Sequence, residues 1–155
     1  MKRFVICLCC SVLFLFAACT SAKPIDSVSI VQEIAPSVLD PMKEQWLISN
    51  DKEAVADLLQ IDSSLLESGC FYCSKEPTNV TAFGGITIQD ENKQDVIQAL
   101  KAYQEKAKED FEGYLPDQYQ IAENAQILDY GNTLFLVMTD CNEEIINQIE
   151  KEIEQ

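Results

Sequence analysis

The chain has 155 residues and no histidine. This absence excludes Ser-His-Asp and Cys-His catalysis and removes the commonest side-chain ligand of transition metals. Glycine is scarce, with five residues, and none lies in a GxGxxG or GK[ST] pattern that would bind phosphate groups. The acids of residues 89–95 lack the alternating ligands and the central glycine of a calcium loop. We therefore expect no cofactor and no metal site.

Basic residues are also scarce, because 11 lysines and arginines face 26 aspartates and glutamates and leave a net charge of −15. Such a surface repels phosphate backbones and anionic lipid headgroups. We therefore expect no nucleic-acid partner and no electrostatic binding to a membrane surface.

The longest apolar run, Phe4 to Ala18, has 15 residues, whereas a helix needs about 20 to span a bilayer. Lys2 and Arg3 precede this run and small residues end it, which is the pattern of a secretory signal peptide. The ending Phe16-Ala17-Ala18-Cys19 is similar to the lipobox of bacterial lipoproteins, although Phe16 stands where leucine is usual. We predict that residues 1–18 are a signal peptide and that Cys19 becomes lipidated.

Lipidation of Cys19 would anchor the mature chain to the outer face of the cell membrane, because several acyl chains on one residue hold a protein there stably. Residues 19–26 are small and polar and include Pro24, and we interpret them as the lipidated cysteine and its tether. Without residues 1–18, nine basic and 26 acidic residues remain, so the mature chain would carry a net charge of −17. Residues 27–155 are long enough for a single domain with its own core.

The helical spacing of apolar residues and the capping residues predict four main helices, and two pairs of strands lie between them. The predicted order of elements is αα-ββ-α-ββ-α. Pro36 is expected to end the first helix, and Pro41 and Trp46 are assigned to a connection. The predicted helices begin at Asp26 or Ser27, at Asn50 in a capping box with Glu53, at Asn92 and at Asn142.

The predicted strands are residues 69–74, 80–89, 126–130 and 133–139, which are rich in aromatic, β-branched and other apolar residues. Gly131-Asn132 joins the last two as a two-residue hairpin, and Gly84-Gly85 indicates a bulge or a close approach of backbone. We predict an α+β domain in which a four-stranded antiparallel sheet of two hairpins is covered on one face by helices.

Cys70, Cys73 and Cys141 are the three thiols that follow Cys19. A Cys-x-x-Cys pair suits redox chemistry when it lies at a helix N-terminus, but no helix is predicted after Cys73. Zinc would need four ligands. We interpret the three thiols as apolar strand residues or as a structural disulfide, and a redox pair of Cys70 and Cys73 is the alternative.

A family resemblance rests on three segments of the second half: Tyr114-Leu115-Pro116, Glu123-Asn124-Ala125, and Gly131-Asn132 with the following Leu134-Phe135-Leu136-Val137. The chain resembles the small lipoproteins of low-GC Gram-positive bacteria that carry a domain of unknown function, DUF4358, over roughly residues 27–150. The resemblance brings no catalytic residue. Members of that family have ordinary strand residues where this chain has Cys70 and Cys73, and this departure neither supports nor opposes an inherited function.

From the sequence we therefore predict a lipid-anchored protein of the cell envelope with an unknown molecular role. We expect it to act as a binding or accessory module with an envelope protein as partner, and not as an enzyme. The alternative is an envelope thiol-disulfide oxidoreductase that uses Cys70 and Cys73. A carboxylate-based hydrolase would need two convergent acids in a cleft.

Overall fold

A computed structural model describes residues 24–39 and 45–154. The predicted signal peptide, Cys19, the predicted tether up to residue 23, and Pro41 lie outside these residues. The elements in chain order are α1 (Ser27–Val38), β1 (Trp46–Ser49), α2 (Lys52–Leu59), β2 (Leu66–Ser74), β3 (Ala82–Ile88), α3 (Lys93–Phe111), α4 (Pro116–Glu123), β4 (Gln126–Tyr130), β5 (Thr133–Met138) and α5 (Asn142–Ile153). The α+β class is confirmed.

The sheet has five strands in the order β1-β2-β3-β5-β4, and all neighbours are antiparallel. The prediction of four strands was wrong because residues 46–49, which begin with the Trp46 assigned to a connection, pair with residues 71–74 of β2. Trp46 and Ile48 are residue types that favour strands. Both predicted hairpin pairs are present. The second hairpin joins the first through β5, which lies beside β3 in the sheet although β4 comes before it in the chain.

Helices cover both faces of the sheet, which corrects the prediction of a single covered face. One layer, formed by α1 and α5, packs on side chains such as Cys70, Phe83 and Phe135. The other layer, formed by α2, α3 and α4, packs on side chains such as Phe71 and Leu136. Every residue of β3 and β5 is buried, because a strand covered on both faces has no solvent side and reads as a continuous apolar run.

The helix ends differ from the sequence predictions by a residue or two. Asp51, and not Asn50, caps α2 by accepting the Ala54 backbone N–H at 2.7 Å. Pro36 lies inside the last turn of α1, which ends at Val38. Asn142 is the first residue of α5 and not its cap; its side chain accepts the backbone N–H of Thr139 at 2.8 Å.

Two glycine positions are explained by the packing of the sheet. A Cβ on Gly84 would overlap the ring of its cross-strand partner Phe71, and a Cβ on Gly85 would lie 2.8 Å from the Phe135 ring. The pair therefore marks a close approach, while the irregular register lies between Leu66 and Ser68. Gly131 has a φ of 71°, as a two-residue hairpin requires.

The described helices were also compared with the length and apolarity that a bilayer span requires. None of those within residues 24–39 and 45–154 meets both requirements.

Candidate functional site

Cys70 and Cys73 lie in the same strand, β2, and their side chains enter opposite layers of the domain. Cys70 is fully buried under α1 and α5, and Cys73 is buried under the α2, α3 and α4 layer. Three residues of regular strand separate their Cα atoms by roughly 10 Å, which exceeds the roughly 7 Å limit for a disulfide. Both thiols are free.

The environment of Cys70 keeps its thiol protonated. Burial raises the pKa of Cys70 from 9.0 to about 11, although a hydrogen bond with the Gln32 side chain opposes that shift. Because the thiolate is the nucleophile, Cys70 is unreactive near neutral pH.

Cys73 accepts a hydrogen bond from the Tyr103 hydroxyl on α3, with an O···S distance of 3.5 Å. Burial raises the pKa of Cys73 and outweighs the lowering effect of this hydrogen bond. Burial likewise raises the pKa of Tyr103, and the neighbouring Cys73 adds to that increase. The pair is thus a neutral polar contact inside an apolar layer.

Cys141 directly precedes α5, a position where a helix dipole would lower the pKa of a thiol. Burial nevertheless raises the pKa of Cys141, and the acids Asp140 and Glu144 add to the increase. Its thiol lies 3.5 Å from the Thr139 hydroxyl and 3.9 Å from the Val38 carbonyl oxygen. Cys141 borders the same apolar layer as Cys70, and Cys73 lies across the sheet from both.

The start of the domain is attached to one end of the sheet. The Ser27 and Thr87 hydroxyls form a buried hydrogen bond of 2.9 Å. Thr133, the cross-strand partner of Thr87, donates its hydroxyl to the Ile25 carbonyl at 3.4 Å. The described chain therefore enters the fold where β3 ends and β5 begins.

An open polar depression lies at the other end of β5, between α4 and the start of α5. It has a volume of about 900 Å³, and its lining includes Asp117, Asp140, Glu143 and Glu144 together with several amide side chains. The amide of Asn142 is already used, because its oxygen accepts from Thr139 and its nitrogen donates to the Asn124 carbonyl at 3.0 Å. Within the described residues no group of three or more Cys, Asp or Glu side chains is placed to hold a metal ion.

The surface that sequence reasoning missed is β1, which forms one edge of the sheet. Leu47 and Ile48 are 49% and 41% exposed, and the third exposed large hydrophobic residue among those described is Tyr114. The signal for β1 was the aromatic and apolar run Trp46-Leu47-Ile48 between Pro41 and Asn50. Trp46 was assigned to a connection and no strand was predicted for the two residues after it, so the exposed apolar side chains were not recognised.

Comparison with known proteins gives one result at the level of families. A family model described as "Domain of unknown function (DUF4358)" matches residues 42–139. This range runs from just before β1 to the end of β5, and so contains the whole sheet. No curated protein and no solved structure matches the chain.

Proposed function

The chain belongs to the DUF4358 family, and from that premise we propose that it is a lipoprotein anchored through Cys19 to the outer face of the cell membrane. There it acts as a binding or accessory module for another protein of the envelope. The observation that carries the proposal is the position of Cys19, directly after two small residues and the apolar run, and just ahead of the domain.

The anchor and the domain are close along the chain. Five residue steps separate Cys19 from Pro24, and they reach at most roughly 18 Å when fully extended. Ile25 and Ser27 are then attached to Thr133 and Thr87. A lipid on Cys19 would therefore hold this end of the sheet near the bilayer, while the acidic surface adds no attraction to anionic headgroups.

A binding role is favoured over thiol chemistry by the state of the three thiols. Burial raises the pKa of Cys70, Cys73 and Cys141, so the nucleophilic thiolate is scarce at neutral pH. Cys70 and Cys73 also enter different layers, whereas a Cys-x-x-Cys redox pair needs both sulfur atoms on one accessible surface. An oxidoreductase would have to rearrange β2.

The anchor is tested by growing the bacterial host with a labelled fatty acid and isolating the chain. Wild type should carry the label, and its intact mass should match residues 19–155 plus the lipid. Cys19→Ser should remain unlabelled and keep residues 1–18. Cys10→Ser, which changes a neighbouring cysteine of the apolar run, is the matched control and should be labelled like wild type. Label on Cys19→Ser would show that the anchor is assigned to the wrong residue.

Substitution and chemical modification of the thiols distinguish the binding role from the redox alternative. For a binding module, Cys70→Ala with Cys73→Ala should keep its cellular role and lose only stability. A thiol reagent should modify Cys70 and Cys73 in the folded protein only after local opening. A bond between Cys70 and Cys73 that a thioredoxin-type reductant opens reversibly would instead establish the oxidoreductase. Isolation of the intact lipoprotein from its own membranes would then name the envelope partner.

A further inference from the structure

The edge strand β1 has two exposed apolar side chains, one on each face of the sheet. Leu47 lies opposite Cys73 and belongs to the face covered by α2, α3 and α4. Ile48 lies opposite Tyr72 and belongs to the face covered by α1 and α5. An extended segment laid along β1 would place its alternate side chains beside Leu47 on one face and beside Ile48 on the other.

The backbone of Ile48 is directed toward the open side of the sheet. The Lys75 N–H donates to the Gln45 carbonyl at 2.8 Å, so these two residues form a hydrogen-bonded pair just before the ladder of β1 and β2. In an antiparallel ladder such pairs alternate with non-bonded ones. Leu47 and Ser49 therefore face β2 with their N–H and C=O groups, and Ile48 turns both groups away from it.

The two edges of the sheet differ in their protection. In natural proteins, charged residues (especially lysine) or proline on an edge strand commonly prevent it from pairing with another strand. On the β4 edge, Asp129 forms an ion pair with Lys93 at 2.5 Å. Residues 46–49 contain no charged residue and no proline. This edge is therefore suited to accept a further strand.

We propose that β1 binds an extended segment of a basic envelope protein, which joins the sheet as a sixth strand. This inference rests on the proposed binding role and names its surface and the chemistry of its partner. The segment would carry adjacent apolar residues, so that one covers Leu47 on its face of the sheet and the next covers Ile48 on the other face, and would have a net positive charge. Main-chain hydrogen bonds would give the affinity, and the apolar side chains the specificity.

Charge argues for a basic partner and against a second copy of the chain. Each copy carries a net charge of −15, or −17 without residues 1–18, and like charges at an interface oppose association. Of this charge, residues 51–53, Asp-Lys-Glu, place a net −1 directly after β1. A segment bearing lysine or arginine would gain attraction where a second copy would meet repulsion.

The position of β1 argues against the lipid bilayer as its occupant. The anchored end of the domain is at Thr87 and Thr133, and Ser68 of β2 lies opposite Thr87. β1 pairs with residues 71–74, the other half of β2, and Tyr72 lies four residues, or roughly 14 Å, beyond Ser68. Leu47 and Ile48 are thus displaced from the anchored end and open to a protein partner.

The probe is a fluorescein-labelled ten-residue peptide with four central valines flanked by lysines, titrated into the intact chain in detergent and followed by fluorescence polarisation. Two further peptides serve as controls, one with a central proline and one with glutamate in place of lysine. The lysine-valine peptide should bind about tenfold more tightly than either control. It should also slow hydrogen exchange of the Ile48 amide about tenfold or more, because that N–H gains an acceptor.

Three variants locate the site. Leu47→Lys should weaken binding of the peptide about tenfold, because it places like charge against the partner strand. Ile48→Pro should do the same by removing the outward N–H without removing a bond to β2. Tyr114→Lys is the matched control, since Tyr114 is 65% exposed and lies outside the sheet, and its binding should stay within about twofold of wild type.

Several results would overturn the proposal. Equal weakening by Tyr114→Lys would mean that charge alone attracts the peptide. Equal binding of the proline peptide would mean that no strand is added. A concentration-dependent dimer in light scattering that Leu47→Lys abolishes would make a second copy the occupant, and Leu47-dependent binding to phosphatidylglycerol vesicles would make it lipid. Peptide binding does not require the acyl group. A wild-type chain that proves to be unlipidated in its own host and still binds the peptide would therefore refute the anchor and leave this inference standing.

Discussion

The contact between Gly84 and Phe71 allows the packing of the sheet to be tested quantitatively. The two residues are cross-strand partners on β3 and β2, and Phe71 is fully buried. A Cβ on Gly84 would overlap the Phe71 ring. Gly84→Ala must therefore displace this ring, and forced overpacking of a core costs about 1–3 kcal/mol.

Because the added Cβ would overlap the Phe71 ring, we expect the cost of overpacking to lie in the upper part of that range. Against it stands a gain of about 0.5–1 kcal/mol, because alanine loses less conformational freedom than glycine when a strand forms. We therefore expect Gly84→Ala to lower the free energy of unfolding by about 2 kcal/mol, a large share of the roughly 5–15 kcal/mol of an ordinary domain. Phe71→Ala alone should lower it by about 3–5 kcal/mol through the cavity it leaves.

Combining the two substitutions shows whether overlap with the Phe71 ring is the cause of the destabilisation by Gly84→Ala. In the Phe71→Ala background the added methyl group enters vacated space, so Gly84→Ala should become neutral or slightly stabilising, and the coupling energy should reach about 2 kcal/mol. The assay is urea unfolding of a chain that begins at Thr20, followed by circular dichroism and by the fluorescence of Trp46. Gly69→Ala is the control, since its Cβ would meet the Val55 side chain at 3.2 Å and not the Phe71 ring, and its effect should be the same with and without Phe71→Ala. Additive effects of the two substitutions would refute the reasoning.

Three further predictions concern single positions. Gly131→Val should destabilise the domain by about 1 kcal/mol or more, because valine is strained at φ 71°, while Gly131→Asn should be tolerated; an unchanged melting temperature for Gly131→Val would contradict this. Thr87→Val should cost about 1–3 kcal/mol by leaving the buried Ser27 hydroxyl without its partner, and Ser27→Ala should recover part of that loss in chemical denaturation; equal losses in both backgrounds would argue against a pairwise bond. The pKa of Cys70 is raised from 9.0 to about 11, which means that the folded state holds this proton more tightly, so the contribution of Cys70 to stability should be constant below pH 9 and fall between pH 9 and 11. Cys70→Ala should reduce that slope, and an identical slope would show that Cys70 ionises equally in the folded and unfolded states.

Local patterns in the sequence were sufficient for the α+β class, for both hairpin pairs and for the positive φ of Gly131, because turn residues and apolar periodicity act over a few neighbouring residues. The family was also recognisable from turn and core residues of the second half. The helix starts at Asp51 and Cys141 were displaced by one residue from the predictions. Asp51 takes the capping role that was assigned to Asn50 by accepting the Ala54 N–H, and the side chain of Asn142 accepts from Thr139 before the helix.

Only the tertiary structure decided which surfaces are covered. The apolar residues of β3 and β5 are compatible with one helical layer or two, and the placement of α1 and α5 across the sheet from α2, α3 and α4 depends on contacts between distant residues. The same long-range pairing makes β1 a strand, buries Cys70 and Cys73 in different layers, and leaves Leu47 and Ile48 exposed at an edge. Burial of a side chain depends on what packs against it, and a strand of four residues is defined by its partner more than by its own propensity.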